Sequence, residues 1–471
     1  MTTIPEHFQL EFAPIADPKA VVQVGQARFT VLTPRLIRLE YSSQHHFEDR
    51  PSQVVWFRQQ PIPRFDVKSD GDWLIIDTDA LRLEYNVLHD CFDADNLKVT
   101  VKTNNTTWRY GDDDPTNLKG TARTLDGVNG AMALENGLLS RSGWTVVDDS
   151  RTLVFNESGW LDLRQRTPDT RDLYFFGYGS DYAACLKDYH AITGPVPLLP
   201  RWSLGNWWSR YHEYHQDDLI ELMEDFRARD VPLSVCIVDM DWHITEIETT
   251  SNDFPGHVWN DGWTGYTWNP KLFPDPERFT ATIHQMGLRT ALNLHPHAGV
   301  HPHESQYERV AQRMGIDPAT REPIDFDLAD PRFANAYFEE LHHPHEAIGI
   351  DFWWMDWQQG EQTSLPGLDP LWWLNHLHFH DLSRDGTRRP FVFSRWGGLG
   401  NHRYPIGFSG DTFVSWETLA FQPYFTASAA NVGYGWWSHD IGGHYGNTEQ
   451  PELYTRWVQY GVFSPIFRLH V

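Results

Sequence analysis

The chain has 471 residues, a formal net charge of −26, 40% hydrophobic residues and 14% aromatic residues. That length exceeds one ordinary domain, and the acidic balance excludes the basic patches needed to hold nucleic acid or an anionic membrane surface. Cys91, Cys185 and Cys236 are too few and too scattered for a disulfide framework, and no run of about 18 apolar residues offers a membrane span.

Met1 to Pro14 lacks a basic region followed by an apolar core, so no secretory leader is expected and the cytoplasm is the default compartment. Residues 1–180 read as an all-β unit. Runs such as Ala27 to Leu32, Leu36 to Tyr41 and Leu81 to Tyr85 largely alternate apolar and polar residues between turn-forming Asp, Asn, Gly and Pro, the pattern of a β-sandwich. A helix is expected over Tyr182 to Ile192, and Gly194-Pro195-Val196-Pro197 opens a proline-rich connector, so 181–200 reads as a linker.

From 201 to 471 apolar strand-like runs alternate with amphipathic ones, which predicts a (β/α)8 barrel. The candidate strands are Leu204 to Trp208, Leu233 to Met240, Arg289 to Leu294, Asp351 to Met355, Pro390 to Phe393, Tyr404 to Phe408, Gly433 to Trp437 and Pro465 to Leu469. No helix follows the last, so the chain reads as cut short near the end of the barrel, its C-terminal part missing.

Polar residues recur where these strands stop. They are Asp239 and Asp241, then Asp356, Arg395, Asp411, Asp440 and His470. Asp356 ends the apolar run Phe352-Trp353-Trp354-Met355 and on its own is equally a turn cap, because a lone carboxylate there need only be hydrogen-bonded. Six such ends converging on one barrel face are harder to explain by structure alone, since the carboxyl ends of barrel strands build the active site. Two carboxylates among many aromatic rings suit glycoside hydrolysis, with the pair roughly 5–5.5 Å apart in a retaining enzyme. The 22 tryptophans serve mainly as core, with some free to pack on sugar faces.

The chain resembles glycoside hydrolase family 31 over most of its length. Trp354-Met355-Asp356 resembles the family's nucleophile segment and Ser409-Gly410-Asp411 the acid/base segment, so Asp356 and Asp411 are the expected catalytic pair. Asp239-Met240-Asp241-Trp242, Arg395, His470 and Asp440-Ile441-Gly442-Gly443 are similar to segments that line the family's sugar pocket. The chain departs from the pattern at Trp357-Gln358-Gln359 after the nucleophile, at Phe408 where Trp is common, at Asn293-Leu294-His295, and at His444 in place of an aromatic residue. Trp354, Trp357, Gln358 and Phe408 are therefore expected to border the sugar and influence its choice.

The resemblance implies a retaining α-glycoside hydrolase acting on non-reducing terminal sugars, with an oligosaccharide or α-glycoside as partner and no cofactor. An α-glucosidase is the first expectation. An α-galactosidase, α-N-acetylgalactosaminidase, α-xylosidase or α-glucosyltransferase of the same family are the alternatives, and a homo-oligomer is left open. A different class of reading comes from His295-Pro296-His297 through His303, whose imidazoles suit zinc and would make a metallohydrolase.

Overall fold

The computed structural model describes residues 3–89, 91–247, 256–361, 363–446 and 450–470. The N-terminal strands are β1 (Val21–Val24), β2 (Ala27–Thr33), β3 (Leu36–Tyr41), β4 (Phe65–Asp70), β5 (Trp73–Thr78), β6 (Leu81–Asn86), β7 (Leu97–Val101), β8 (Thr106–Arg109), β9 (Thr145–Asp148), β10 (Val154–Phe155), β11 (Leu161–Asp162) and β12 (Arg171–Phe176). They form two antiparallel five-stranded sheets, β1-β2-β3-β12-β9 and β4-β5-β6-β7-β8, and a small β10-β11 hairpin.

The alternation in the sequence explains the pairing. On β6 and β7 every second residue is buried, and Leu81, Leu83, Leu97 and Val99 share one apolar core with Phe29, Ile37 and Leu39 of the other sheet. β3 is buried on both sides, because Leu36 faces a second cluster against helix α1 (Tyr182–Thr193). Its Arg38 survives burial through two 2.7 Å hydrogen bonds to Asp172 on β12.

Seven parallel strands follow. They are β13 (Asn206–Trp208), β14 (Val235–Val238), β15 (Arg289–Leu294), β16 (Phe352–Met355), β17 (Gly407–Phe408), β18 (Trp437–Ser438) and β19 (Phe467–Leu469). Continuous ladders give a five-stranded sheet, β16-β15-β14-β13-β19, and a β17-β18 pair, not a closed ring. Single parallel bridges join them, Trp354 to Phe393, Ser394 to Gly407 and Ser438 to Ile466. The run expected as a strand at Pro390 to Phe393 is thus only the bridge residues Phe393 and Ser394, and the strands expected at 404–408 and 433–437 shorten to their last residues or move past them.

Alternate residues of the parallel strands go to opposite sides, both buried. Ile237, Ala291, Phe352 and Trp354 pack in one cluster with Phe393 and Phe408, whereas Cys236, Leu292, Trp353 and Met355 pack outward against helices such as α7 (Pro370–Leu382). Two-sided burial is why these strands read as unbroken apolar runs. The N-terminal region is fused to this layer, with Trp160 edge-on to Trp373 of α7 at 4.9 Å. No helix among the described residues is long and apolar enough to cross a membrane.

Candidate active site

Most of the parallel strands deliver polar side chains just past their ends. Asp239 and Asp241 follow β14, Asp356 follows β16, Arg395 follows the bridge residue Ser394, Asp411 follows β17, Asp440 follows β18 and His470 follows β19. Asn293 lies on β15 itself, two residues beyond inward-facing Ala291, and its register partner is Trp354. That register carries the Asn293 side chain to Asp356.

Asp356 is the most strongly tied carboxylate of the group. Its Oδ1 accepts hydrogen bonds from Arg395 Nη2 at 2.8 Å and from the Trp357 N–H at 2.8 Å. Its Oδ2 accepts from Asn293 Nδ2 at 3.1 Å, with His295 Nε2 at 3.6 Å. Burial alone would raise its pKa, but His295 and Arg395 outweigh it and hold the carboxyl well below the usual range. Arg395 lies across the Phe408 ring, 4.4 Å from its centre.

Asp411 is held in the opposite sense. Burial comes first, and the negative charges of Asp356, Asp440 and Asp126 add to it, so its pKa is pushed up to about 8 against the pull of Arg395. His444 Nε2 lies 3.8 Å from its Oδ2. Asp239, nearly inaccessible, is likewise pushed up to about 8 by burial and then by Asp356, and Asp241 to about 6 by burial and Glu213.

Burial is the first cause, and crowding adds to it. Asp239, Asp356, Asp411 and Asp440 draw on two guanidinium groups, those of Arg395 and Arg468, and the charge of Asp356 pushes up the other three. Arg468, fully buried, donates to Asp440 Oδ1 and lies 4.9–5.1 Å from the ring centres of Trp354, Phe393 and Phe408. His470 pairs through Nδ1 with Ser209 Oγ at 2.8 Å and stacks on His444 with ring centres 5.4 Å apart.

Asp241 has Glu213 and His212 as its charged neighbours, and the other residues expected at the site lie against one another, though not on equal terms. Trp354 and Phe408 are fully buried beneath the guanidinium groups, whereas Trp357 is 38% exposed and meets His297 edge-on at 4.6 Å. Trp357 also adopts a left-handed backbone, with φ 63°, which is costly for a bulky residue. The Gln358 side chain is taken up by Asp126, to which it donates at 3.0 Å.

The imidazoles of 295–303 are not gathered into a metal shell. His295 faces Asp356, His297 packs on Trp357, His301 contacts the Ala298 carbonyl at 3.0 Å, and His303 lies 3.1 Å from Glu304. Among the described residues, the group of three ligand-type side chains whose donor atoms all lie within 4.8 Å of one another is Asp440, His444 and His470, and Asp440 is already ion-paired to Arg468.

Four contributors stood outside the sequence expectation. Asn293 was legible only as a departure at a strand end, and His295 as a departure and as a candidate zinc ligand, and parallel register is what aims both at Asp356. Asp126 sits in Thr124-Leu125-Asp126-Gly127, which reads as a turn. Exposed Trp263, edge-on to His295 at 5.0 Å, carries no local signal at all.

Residues 196–471 match the model of the glycosyl hydrolases family 31 TIM-barrel domain. The chain belongs to glycoside hydrolase family 31. It is 26% identical over 321 residues to an α-xylosidase of Saccharolobus solfataricus, covering 63% of this chain and 41% of that one. It is 25% identical over 367 residues to neutral α-glucosidase AB of Sus scrofa, covering 70% of this chain and 36% of the relative. The chain therefore spans about two fifths of the length of these curated relatives. Among solved structures, a soil-metagenome GH31 α-xylosidase complexed with xylose superposes with a TM-score of 0.71 at 16% identity, over 98% of this chain and 77% of that one. A Flavobacterium johnsoniae GH31 dextranase complexed with glucose gives a TM-score of 0.68 at 17% identity, over 98% of this chain and 65% of the other.

Proposed function

We propose that the chain hydrolyses α-linked sugars from non-reducing ends with retention, Asp356 acting as nucleophile and Asp411 as acid/base. The observation that carries this reading is the opposite protonation bias on the two carboxyls. One is held ionised by His295 and Arg395, with a hydrogen bond from Asn293, and the other is kept protonated by burial and like charge. In the first step the Asp356 carboxylate bonds to the anomeric carbon while Asp411 gives its proton to the departing glycosidic oxygen. In the second, ionised Asp411 takes a proton from water, which attacks the anomeric carbon and releases Asp356. Two inversions give net retention.

Asp239, Asp241, Asp440 and His470 are assigned to the hydroxyls of the bound sugar. A gluco-configured sugar is the first reading. An α-xyloside is the second, favoured by the α-xylosidases among the relatives and structural neighbours. A panel of aryl α-glycosides (gluco, xylo, galacto and N-acetylgalactosaminyl) tests the substrate, and proton NMR of the first-formed hemiacetal tests the stereochemistry. The α-anomer is expected first. The β-anomer would overturn retention, and no turnover of any panel member would overturn the substrate class.

A further inference from the structure

We propose that Asp126, contributed by the N-terminal β region, is a positioning residue that sets the acid/base in place by tying its backbone, Arg395 and Gln358 into one node. The proposal rests on the assignment of Asp411 as acid/base. Asp126 Oδ1 accepts from the Asp411 N–H at 2.8 Å and from Arg395 Nη1 at 2.6 Å, and its Oδ2 accepts from Gln358 Nε2 at 3.0 Å. One carboxylate thus contacts the segments that bear the acid/base, the nucleophile and the arginine between them.

The backbone around it is pinned as well. The Leu125 N–H donates to the Ser409 carbonyl and the Gly127 N–H to the Asp411 carbonyl, each at 2.8 Å, so residues 125–127 pair with 409–411. Thr124 Oγ accepts a second hydrogen bond from Arg395 Nη1, at 2.5 Å. Behind the loop, Arg123 clasps Asp369 at the start of α7 and donates to the Gln358 carbonyl at 3.2 Å. Such bonds to charged groups are shorter and stronger than neutral ones, which suits a joint that must hold a proton donor to a fraction of an ångström.

The charge of Asp126 acts on Asp411 together with those of Asp356, Asp440 and Arg395, and His444 faces the same carboxyl. Asp126→Asn keeps an acceptor for Arg395 and the Asp411 N–H, and rotation of the Gln358 amide re-forms the third bond, but those bonds lose their charge assistance, so the variant both removes the charge and loosens the joint.

The test compares wild type, Asp126→Asn, Asp126→Glu and Asp411→Ala for the pH dependence of kcat/KM and for poor against activated aryl leaving groups, with melting curves to check folding. For Asp126→Asn the alkaline limb should move down by about half a pH unit or more, because a like charge is gone. Poor leaving groups should lose about tenfold or more while activated ones lose less than about threefold, as expected for a misplaced general acid. Asp126→Glu keeps the charge, so its limb should stay while the leaving-group ratio shifts the same way. That variant carries the test if the Asn form does not fold. A wild-type limb and ratio in the folded variants would overturn the role of Asp126. A wild-type limb in Asp411→Ala would instead overturn the acid/base assignment.

Discussion

Asp356 shows how much of the chemistry is decided by single side chains. A buried carboxylate is costly unless charged or polar donors surround it, and here Arg395, Asn293, His295 and the Trp357 N–H do so. Removing Asn293 should therefore weaken the ionised form. Asn293→Ala is expected to shift the acidic limb of kcat/KM to higher pH and cost about 1.5–3 kcal/mol in kcat/KM, the scale of one hydrogen bond to a charged group. A pH–rate profile of the variant reads both effects. With the roles proposed for them, the two carboxyls set the two limbs in the wild type. Activity needs Asp411 protonated, so kcat/KM should fall as pH rises through about 8. It needs Asp356 ionised, so the acidic limb should lie below the ordinary carboxylate range. An alkaline limb that survives in Asp411→Asn would assign it to another group.

At the scale of elements, the parallel strands place these side chains and explain what was legible. The runs at β14, β15 and β16 are long, apolar and buried on both faces, so their positions and the residues that end them follow from sequence. The run at Pro390 to Phe393 makes only isolated bridges, and its Phe391 and Phe393 pack with Ile406 and Phe408 in one buried apolar cluster. Periodicity cannot separate those two cases. Motif order singled out Asp356, Asp411, Arg395 and Asp440, but Asn293 and His295 lie across register and Asp126 across the domain junction, where linear spacing carries no signal.

Gly410, between β17 and Asp411, makes the packing constraint measurable. Its φ is 95°, and a Cβ there would lie 2.2 Å from Arg395 Nη1 and 2.3 Å from Asp126 Oδ1. The guanidinium is pinned by Thr124, Asp126 and Asp356 and cannot swing aside without breaking those bonds. Gly410→Ala should lower Tm and reduce kcat/KM by about tenfold or more, since small misplacements of catalytic groups cost that much. Unchanged kinetics would show that the joint yields.

For the whole molecule, the site is a concentration of like charge stored in the fold. Asp239 is protonated more readily in the folded chain than unfolded, its pKa pushed up to about 8 by burial and by Asp356. Its neutral form therefore favours folding at low pH, and that contribution disappears as pH rises from the ordinary aspartate value through about 8. Asp239→Asn should raise Tm relative to wild type at about pH 9 and lose that advantage near pH 4, while activity falls. Equal melting at both pH values would mean that Asp239 is not under strain. The N-terminal region belongs to this same unit, because Arg123, Thr124 and Asp126 bond to Asp369, Arg395 and the Asp411 N–H.

The most direct test of the central claim is covalent trapping. A slowly turned-over fluorinated α-glycosyl fluoride, followed by proteolysis and mass spectrometry, should place the sugar on the peptide that carries Asp356, and Asp356→Ala should take up none. A label on Asp411, or turnover with inversion and no label at all, would contradict the account.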